Sequence, residues 1–433
     1  MENTQEVYNV RWKLILLTSV VLLVVFGLAT PFNFDWPKLV KFKEWSSSAS
    51  ASVARIEHGN LGRQVGLLLL AAFSMFSLAR TENRYRVNLP VGWFFLFYLG
   101  WILLSLSWSV DVFFTLRRVI TVYILWLSAI VLAGRYTLRE LAFLAVLVTG
   151  ATMAIGFGNE LRWHTFEPTN IWWRFGGLFH TVGMAQNCGI LALASMFLIT
   201  DEKSSRCRSI LWFIFVVAII FLLLTKSRMA VSSTLFTIGL YWYRVFSGTN
   251  KTLMLLGLVI ALSLSYLALS DRWVYYAEEA STLGRGEAAK EQVSNLTGRL
   301  PLWKYCIMRS EERPVLGWGF NTFINKKTMF DVSRNIGWTP GSTHSSYIDA
   351  VMGLGYVGAA AMIFFLLAAL ARAYDLSLRY SEYIFVVSVL VWLYYNMIME
   401  TSLFVRPSFM NLFCMIMLAR LALLPGAEWE RKK

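Results

Sequence analysis

The sequence predicts an all-α polytopic integral membrane protein of about 12 transmembrane helices, with a helical subdomain in the long loop between spans 9 and 10. Three observations predict it. Of the 433 residues 57% are hydrophobic and only 15% are charged, where a soluble domain carries about 25% charge. The apolar residues fall into blocks of about 17–25, the length of a helix that crosses a bilayer core. Lysine and arginine recur in alternate short loops, the pattern of cytoplasmic connections.

The blocks run at roughly 13–30, 64–79, 90–108, 117–134, 138–157, 182–200, 209–225, 229–247, 252–269, 344–371, 382–399 and 408–424. The first runs on as a full span with no cleavage site after it, so no signal peptide is expected. Blocks three and four are separated by little more than 108–111 and read as a hairpin. Arg11 and Lys13 precede block one; Arg80, Arg84 and Arg86 follow block two; Arg135 and Arg139 follow block four. Lys203, Arg206 and Arg208 follow block six, Arg244 and Lys251 block eight, Arg372 and Arg379 block ten, and the tail ends Arg431-Lys432-Lys433. Both termini are therefore expected on the cytoplasmic side, with the odd loops facing outward. The organisation follows: spans 1–9 over 1–269, a long outward loop over 270–343, and spans 10–12 with the tail over 344–433. In that loop 272–283 and 300–312 read as helices, and Pro314 with Gly317-Trp318-Gly319 marks a turn. The first outward loop, about 31–63, holds Trp36, Trp45 and a Ser/Ala run at 46–52, and no chemistry is assigned to it.

The net charge is +14. Because the basic residues sit between spans, anionic lipid surfaces and anionic substrates explain it better than nucleic acid. The four cysteines, Cys188, Cys207, Cys306 and Cys414, are scattered without a CxxC, which suggests neither a disulfide framework nor a metal site. No Asp-x-Asp or acidic cluster suggests a metal-dependent transferase.

The outward side collects the chain's chemistry. All four histidines fall there, with Arg162, Arg174, Lys226, Arg228, Arg285, Arg299 and Arg406. Lys226-Ser227-Arg228 occupies a loop that is barely a turn, where positive charge is selected against. A bound phosphate or pyrophosphate would compensate it; interfacial snorkelling is the other reading. Arg174 follows Ile171-Trp172-Trp173 and precedes a glycine pair, Gly176-Gly177, which permits close approach of a ligand oxygen; an interfacial tryptophan belt is the alternative. Gly298-Arg299 stands at a helix start, where backbone N–H groups also favour anions. His344 sits where the long loop meets span 10. Alone it reads as a capping residue; beside several arginines it is a candidate general base. Gly353, Gly355 and Gly358 are expected to let its helix pack tightly on a neighbour. Acids near the outer face are few: Glu160, Glu167, Asp349 and Glu400, the last a candidate for positioning substrate or pairing an arginine.

His344-Ser345, nine residues, then Gly355-Tyr356-Val357-Gly358 resembles the His-(Asn/Ser/Gln)-x9-Gly-x-x-Gly signature of O-antigen ligases. Three further stretches resemble the wider superfamily of ligases, polymerases and O-linked oligosaccharyltransferases: Arg174 to His180 through Gln186-Asn187, Leu224 to Met229 around Lys226 and Arg228, and Thr297-Gly298-Arg299 to Trp303. The resemblance covers the chain from about residue 90 onward. His180-Thr181 departs from it where relatives often carry Asn/His-Pro.

The resemblance implies an inner-membrane glycosyltransferase. It would move a glycan from undecaprenyl pyrophosphate to a sugar hydroxyl of lipid A-core at the periplasmic face, without metal, nucleotide or other cofactor. The 270–343 loop becomes a periplasmic subdomain. His344 would be the base. Arg174, Arg228, Arg299 and Lys226 would hold the pyrophosphate, with Glu400 and His180 as candidate positioning residues. Its partners would be the lipid-linked donor, the lipid acceptor and membrane lipids. An O-antigen polymerase or protein O-oligosaccharyltransferase is the rival within the class. A transporter or flippase of an anionic lipid-linked substrate is the rival outside it, and would need charges along the membrane depth.

Overall fold

The computed structural model describes residues 10–29, 61–79, 85–170, 173–246, 248, 299–338, 340–401 and 407–423. The span expected at 252–269, the helix at 272–283, most of the first outward loop with His58, Arg285, Arg406 and the basic tail lie outside the described residues.

The described chain is all-helical. In order come α1 (Trp12–Ala29), α2 (Leu61–Ala79), α3 (Val91–Leu104), α4 (Val112–Arg135), α5 (Leu138–Arg162), α6 (Thr181–Asp201), α7 (Ser205–Leu224) and α8 (Arg228–Val245). They are followed by α9 (Arg299–Ser310), α10 (Lys326–Ile336), α11 (Ser346–Arg379), α12 (Tyr383–Met399) and α13 (Phe409–Leu423). Among the described residues, seven helices are long and apolar enough to cross a membrane: α1, α2, α4, α5, α6, α7 and α11. The shorter α3, α12 and α13 are apolar as well.

Helix boundaries follow local chemistry. Asp111 opens α4 by accepting from the Phe114 N–H. Thr137 and Glu140 form a reciprocal capping box at the start of α5, satisfying two donors that a helix start leaves open. Glu140 also takes Arg11 at 2.6 Å. The end of α13 is closed from outside its own helix: Arg86 N and Asn88 N donate to the carbonyls of Leu423 and Ala422. Arg420, buried, donates to Ala133 and Tyr136 oxygens at the end of α4. A membrane offers those carbonyls no water, so the chain supplies the donors. Replacing Arg420 with leucine is expected to destabilise by about 1–3 kcal/mol through the orphaned carbonyls, read as a lower midpoint of thermal unfolding in detergent.

Two helices form the centre. α13 buries every residue from Phe409 to Ala422, and α6 buries 89% of its apolar window, against 17% for the peripheral α7. A separate small cluster lies at one end of the bundle. Leu302 and Cys306 of α9, Phe323, Ile324, and Met329 and Val332 of α10 pack on Met352 of α11. α10 was not expected from sequence. Its apolar residues serve only this small cluster, and polar neighbours hide it among loop residues.

α11 departs most from expectation. Of the three glycines expected to let the helix pack tightly on a neighbour, Gly355 instead breaks it, with φ 67 and ψ −175. The freed backbone groups find partners elsewhere. Trp318 N and Gly319 N donate to the Met352 and Gly353 oxygens, both at 2.9 Å, and Tyr356 N donates to Pro314 O at 2.7 Å. The Trp101 indole on α3 donates to Leu354 O at 3.0 Å. The turn around Gly317 thus docks into the break. A side chain at 355 would meet the Val315 carbonyl and hold an unfavourable positive φ. Gly355→Ala is therefore expected to cost about 1–3 kcal/mol, measurable by thermal unfolding. Gly358 does serve packing, against Trp101.

Candidate active site

The residues singled out from sequence gather at one end of the bundle, opposite Arg11, Arg139, Arg208 and Arg420. They form two limbs.

The first limb is the segment 170–177 laid against the α7–α8 turn. Phe175 N donates to Leu224 O at 2.9 Å, and Arg174 Nε donates to Thr225 O at 2.8 Å. The turn is tight because Lys226 takes a left-handed φ of 50. Its ammonium lies 3.5 Å from Asn170 O. Arg228 is the first residue of α8, whose N-cap Ser227 makes no side-chain cap bond. A helix N-terminus and a guanidinium at one point both favour an anion.

The second limb joins α9, α11 and α12. Arg299, first residue of α9, donates through Nη1 to Met399 O and through Nη2 to Glu400 Oε1 at 2.8 Å. The pair is largely shielded, with side chains 17% and 16% exposed. Four residues along α9, on the same face, Trp303 donates to Thr343 O at 2.9 Å. Thr343 Oγ1 lies 2.7 Å from Asp349 Oδ1, and Ser346 Oγ donates to Glu400 O at 2.9 Å. His344 stands between these anchors, just outside α11 rather than on it, with φ 56. Its ring lies 5.9 Å from that of Trp338. One helix therefore carries Arg299 and also holds the residue beside His344.

The limbs meet where the start of α8, with Arg228, packs on the end of α12, next to the Glu400 that holds Arg299. Beneath them, Asn396 Nδ2 donates to Ser233 Oγ at 2.8 Å and the Trp392 indole donates to Thr234 Oγ1 at 2.9 Å. These bonds tie the start of α8 to the end of α12, the elements carrying Arg228 and Glu400. Sequence reading missed them. Their signal was an asparagine in an apolar run, which inside a bundle marks an interhelical bond.

Two expectations change in detail, and a third narrows to one of its alternatives. The oxygen that approaches the glycine pair belongs to the chain: Glu160 Oε1 accepts from Gly176 N at 3.0 Å and Gly177 N at 2.7 Å. Backbone N–H groups left bare inside a bundle are costly, so a buried acid fills the place where a ligand oxygen was expected. His180 caps α6, its Nδ1 accepting from Val182 N at 3.4 Å. That bond serves the α6 start, and its ring is exposed. Arg299 has a carboxylate partner, and that partner is Glu400.

Residues 213–363 match the family model described as O-Antigen ligase. Over that stretch the chain is similar to the O-antigen ligase family. The matched stretch holds Lys226, Arg228, Arg299, His344 and the Gly355 break; Arg174 and Glu400 lie outside it and are joined to the site by the hydrogen bonds above. No curated protein matches the chain.

Proposed function

We propose that this protein transfers a glycan from undecaprenyl pyrophosphate to a sugar hydroxyl of lipid A-core at the periplasmic face of the bacterial inner membrane. The observation that carries the reading is the bonding of α8 to α12, which sets Arg228 at the same end as an Arg299–Glu400–Ser346 chain that ends next to His344, within the stretch that matches the O-antigen ligase model. In the reaction the acceptor oxygen attacks the anomeric carbon and its proton passes to His344. The bond from that carbon to the pyrophosphate oxygen breaks, and the electron pair leaves with the pyrophosphate. Arg174, Arg228, Arg299 and Lys226 stabilise the charge that develops there, the role preorganised donors fill best. Glu400 sets the Arg299 fork, and the polyprenyl tail lies among the spans.

In this reading about 12 spans cross the membrane and both termini are cytoplasmic. The basic end of the bundle, with Arg11, Arg135, Arg139 and Arg208, supports that orientation by the positive-inside rule. Residues 270–343 form the periplasmic subdomain between spans 1–9 and spans 10–12.

Reconstitution in proteoliposomes with a lipid-linked glycan tests the reading. Transfer to lipid A-core is the expected product. Extension of a second lipid-linked glycan in its place would reassign the protein as a polymerase. Passage of the donor across the bilayer without a new glycosidic bond would make it a transporter.

A further inference from the structure

Glu160 has no part in the proton and leaving-group chemistry above, yet its setting is built. It is fully buried near the end of α5. One oxygen, Oε1, accepts from the N–H groups of two successive glycines, Gly176 and Gly177. Gly177 is left-handed, with φ 57, which turns both N–H groups toward one point. Successive backbone donors of this kind form an anion-binding concavity. The second oxygen, Oε2, is buried as well, on the side of Trp173. Space is equally specified. A Cβ at Gly156 would stand 3.0 Å from the Gly177 Cα, so one turn below Glu160 the helix and the loop touch through their backbones.

The loop fixed this way is the one that presents Arg174. One residue, Phe175, separates Arg174 from Gly176. On the other side of that guanidinium, the anchors are Thr225 O and Leu224 O on the α7–α8 turn, three and four residues from Arg228. We propose that Glu160 is a positioning residue: a resident internal anion that fills the Gly176–Gly177 nest, and through it sets Arg174 against the turn that carries Lys226 and Arg228. Glu160 touches no substrate. It fixes where the cationic rim of the site begins. The role rests on the reading of that rim as a pyrophosphate site.

The geometry distinguishes an acceptor from a base. Glutamine keeps an oxygen where Oε1 stands and can accept from both N–H groups; alanine leaves both donors bare. The test uses the full-length protein in detergent, with farnesyl pyrophosphate as probe, binding measured by calorimetry and unfolding measured thermally. Binding by the wild type is expected. Glu160→Ala is expected to weaken binding about 10- to 100-fold, as displaced positioning groups do, with Glu160→Gln recovering most of the loss. In the transfer assay Glu160→Ala should raise the donor KM more than it lowers kcat.

Equal probe affinity in wild type and Glu160→Ala would overturn the positioning role, even if the variant melts earlier. Loss of kcat in Glu160→Gln with donor affinity retained would also overturn it, since that marks a proton-transfer group. No probe binding by the wild type would instead overturn the pyrophosphate site itself. Should Glu160→Ala fail to fold, Gly177→Ala, which strains the left-handed residue of the nest and presses the loop against Met184 and the Gly156 backbone, is expected to weaken probe binding with the Glu160 carboxylate retained. Unchanged affinity there would count against the proposal.

Discussion

Replacing His344 with asparagine lowers the turnover of glycan transfer by about 10²–10⁴-fold, the usual contribution of a positioned general base. Asparagine is the informative choice because His344 has a φ of 56. Asparagine and histidine both tolerate that conformation, while most residues do so rarely. The variant therefore removes the imidazole and keeps the backbone between Thr343 and the N-cap Ser345. Thermal unfolding should fall only slightly and farnesyl pyrophosphate affinity should stay near wild type, since Trp303, Asp349 and Glu400 anchor the residues on either side of His344. His344→Ala adds a backbone cost to the same chemical loss and should also unfold earlier. Single-turnover transfer at saturating donor makes the comparison. A rate near wild type in the asparagine variant would remove His344 from the chemistry and return it to the role of a junction residue.

The second large effect separates two arginines that look alike in sequence. Arg228→Ala and Arg299→Ala should each cost about 10²–10³-fold in turnover, the scale for deleting one donor to a developing anion. Their stability costs should differ. Arg299 is held by Glu400 and by the Met399 carbonyl, so its removal leaves a shielded carboxylate without its guanidinium. Breaking a fully buried pair costs about 3–5 kcal/mol, and this partly shielded pair should lose less than that. Truncating Arg228 leaves the Arg299–Glu400 pair intact and should cost less stability. Arg299→Ala combined with Glu400→Gln should recover much of the lost stability and none of the lost transfer. Equal unfolding shifts for the two single variants would contradict this division. Restored transfer in the double variant would contradict a role for Arg299 in holding the donor.

Much of the architecture was readable because membrane chemistry is one-dimensional. A helix that crosses lipid must be apolar over its whole length, and its loops carry charge with a preferred side. Every predicted span that falls among the described residues coincides with a helix to within a few residues, apart from the C-terminal end of α11. Arg228 and Arg299 could be singled out for a similar reason: a cation at the outer end of a span needs a reason to be there. The site's framework was harder to read. Glu160 and the glycine pair are sixteen residues apart, and nothing in either stretch announces the other. Arg299 and Glu400 are 101 residues apart. Asn396 and Ser233 belong to helices whose adjacency no pattern of hydrophobicity encodes.

His344 and the glycines after it show where the division lies. The spacing of His344, Gly355 and Gly358 by itself determined that a titratable group stands at a loop–helix junction and that small residues follow about three and four turns later. It also determined, through the alternation of basic loops, that this junction shares a side with Arg174, Lys226, Arg228 and Arg299. Only the tertiary structure decided what the spacing is for. Gly355 is needed because the chain turns there through a positive φ and receives the 313–319 turn into its backbone, and Gly358 because Trp101 lies against it. Glycine in a sequence states that a side chain is unwelcome. The reason, a carbonyl, an indole or a carboxylate in its place, belongs to a distant part of the chain and is fixed only when the helices pack.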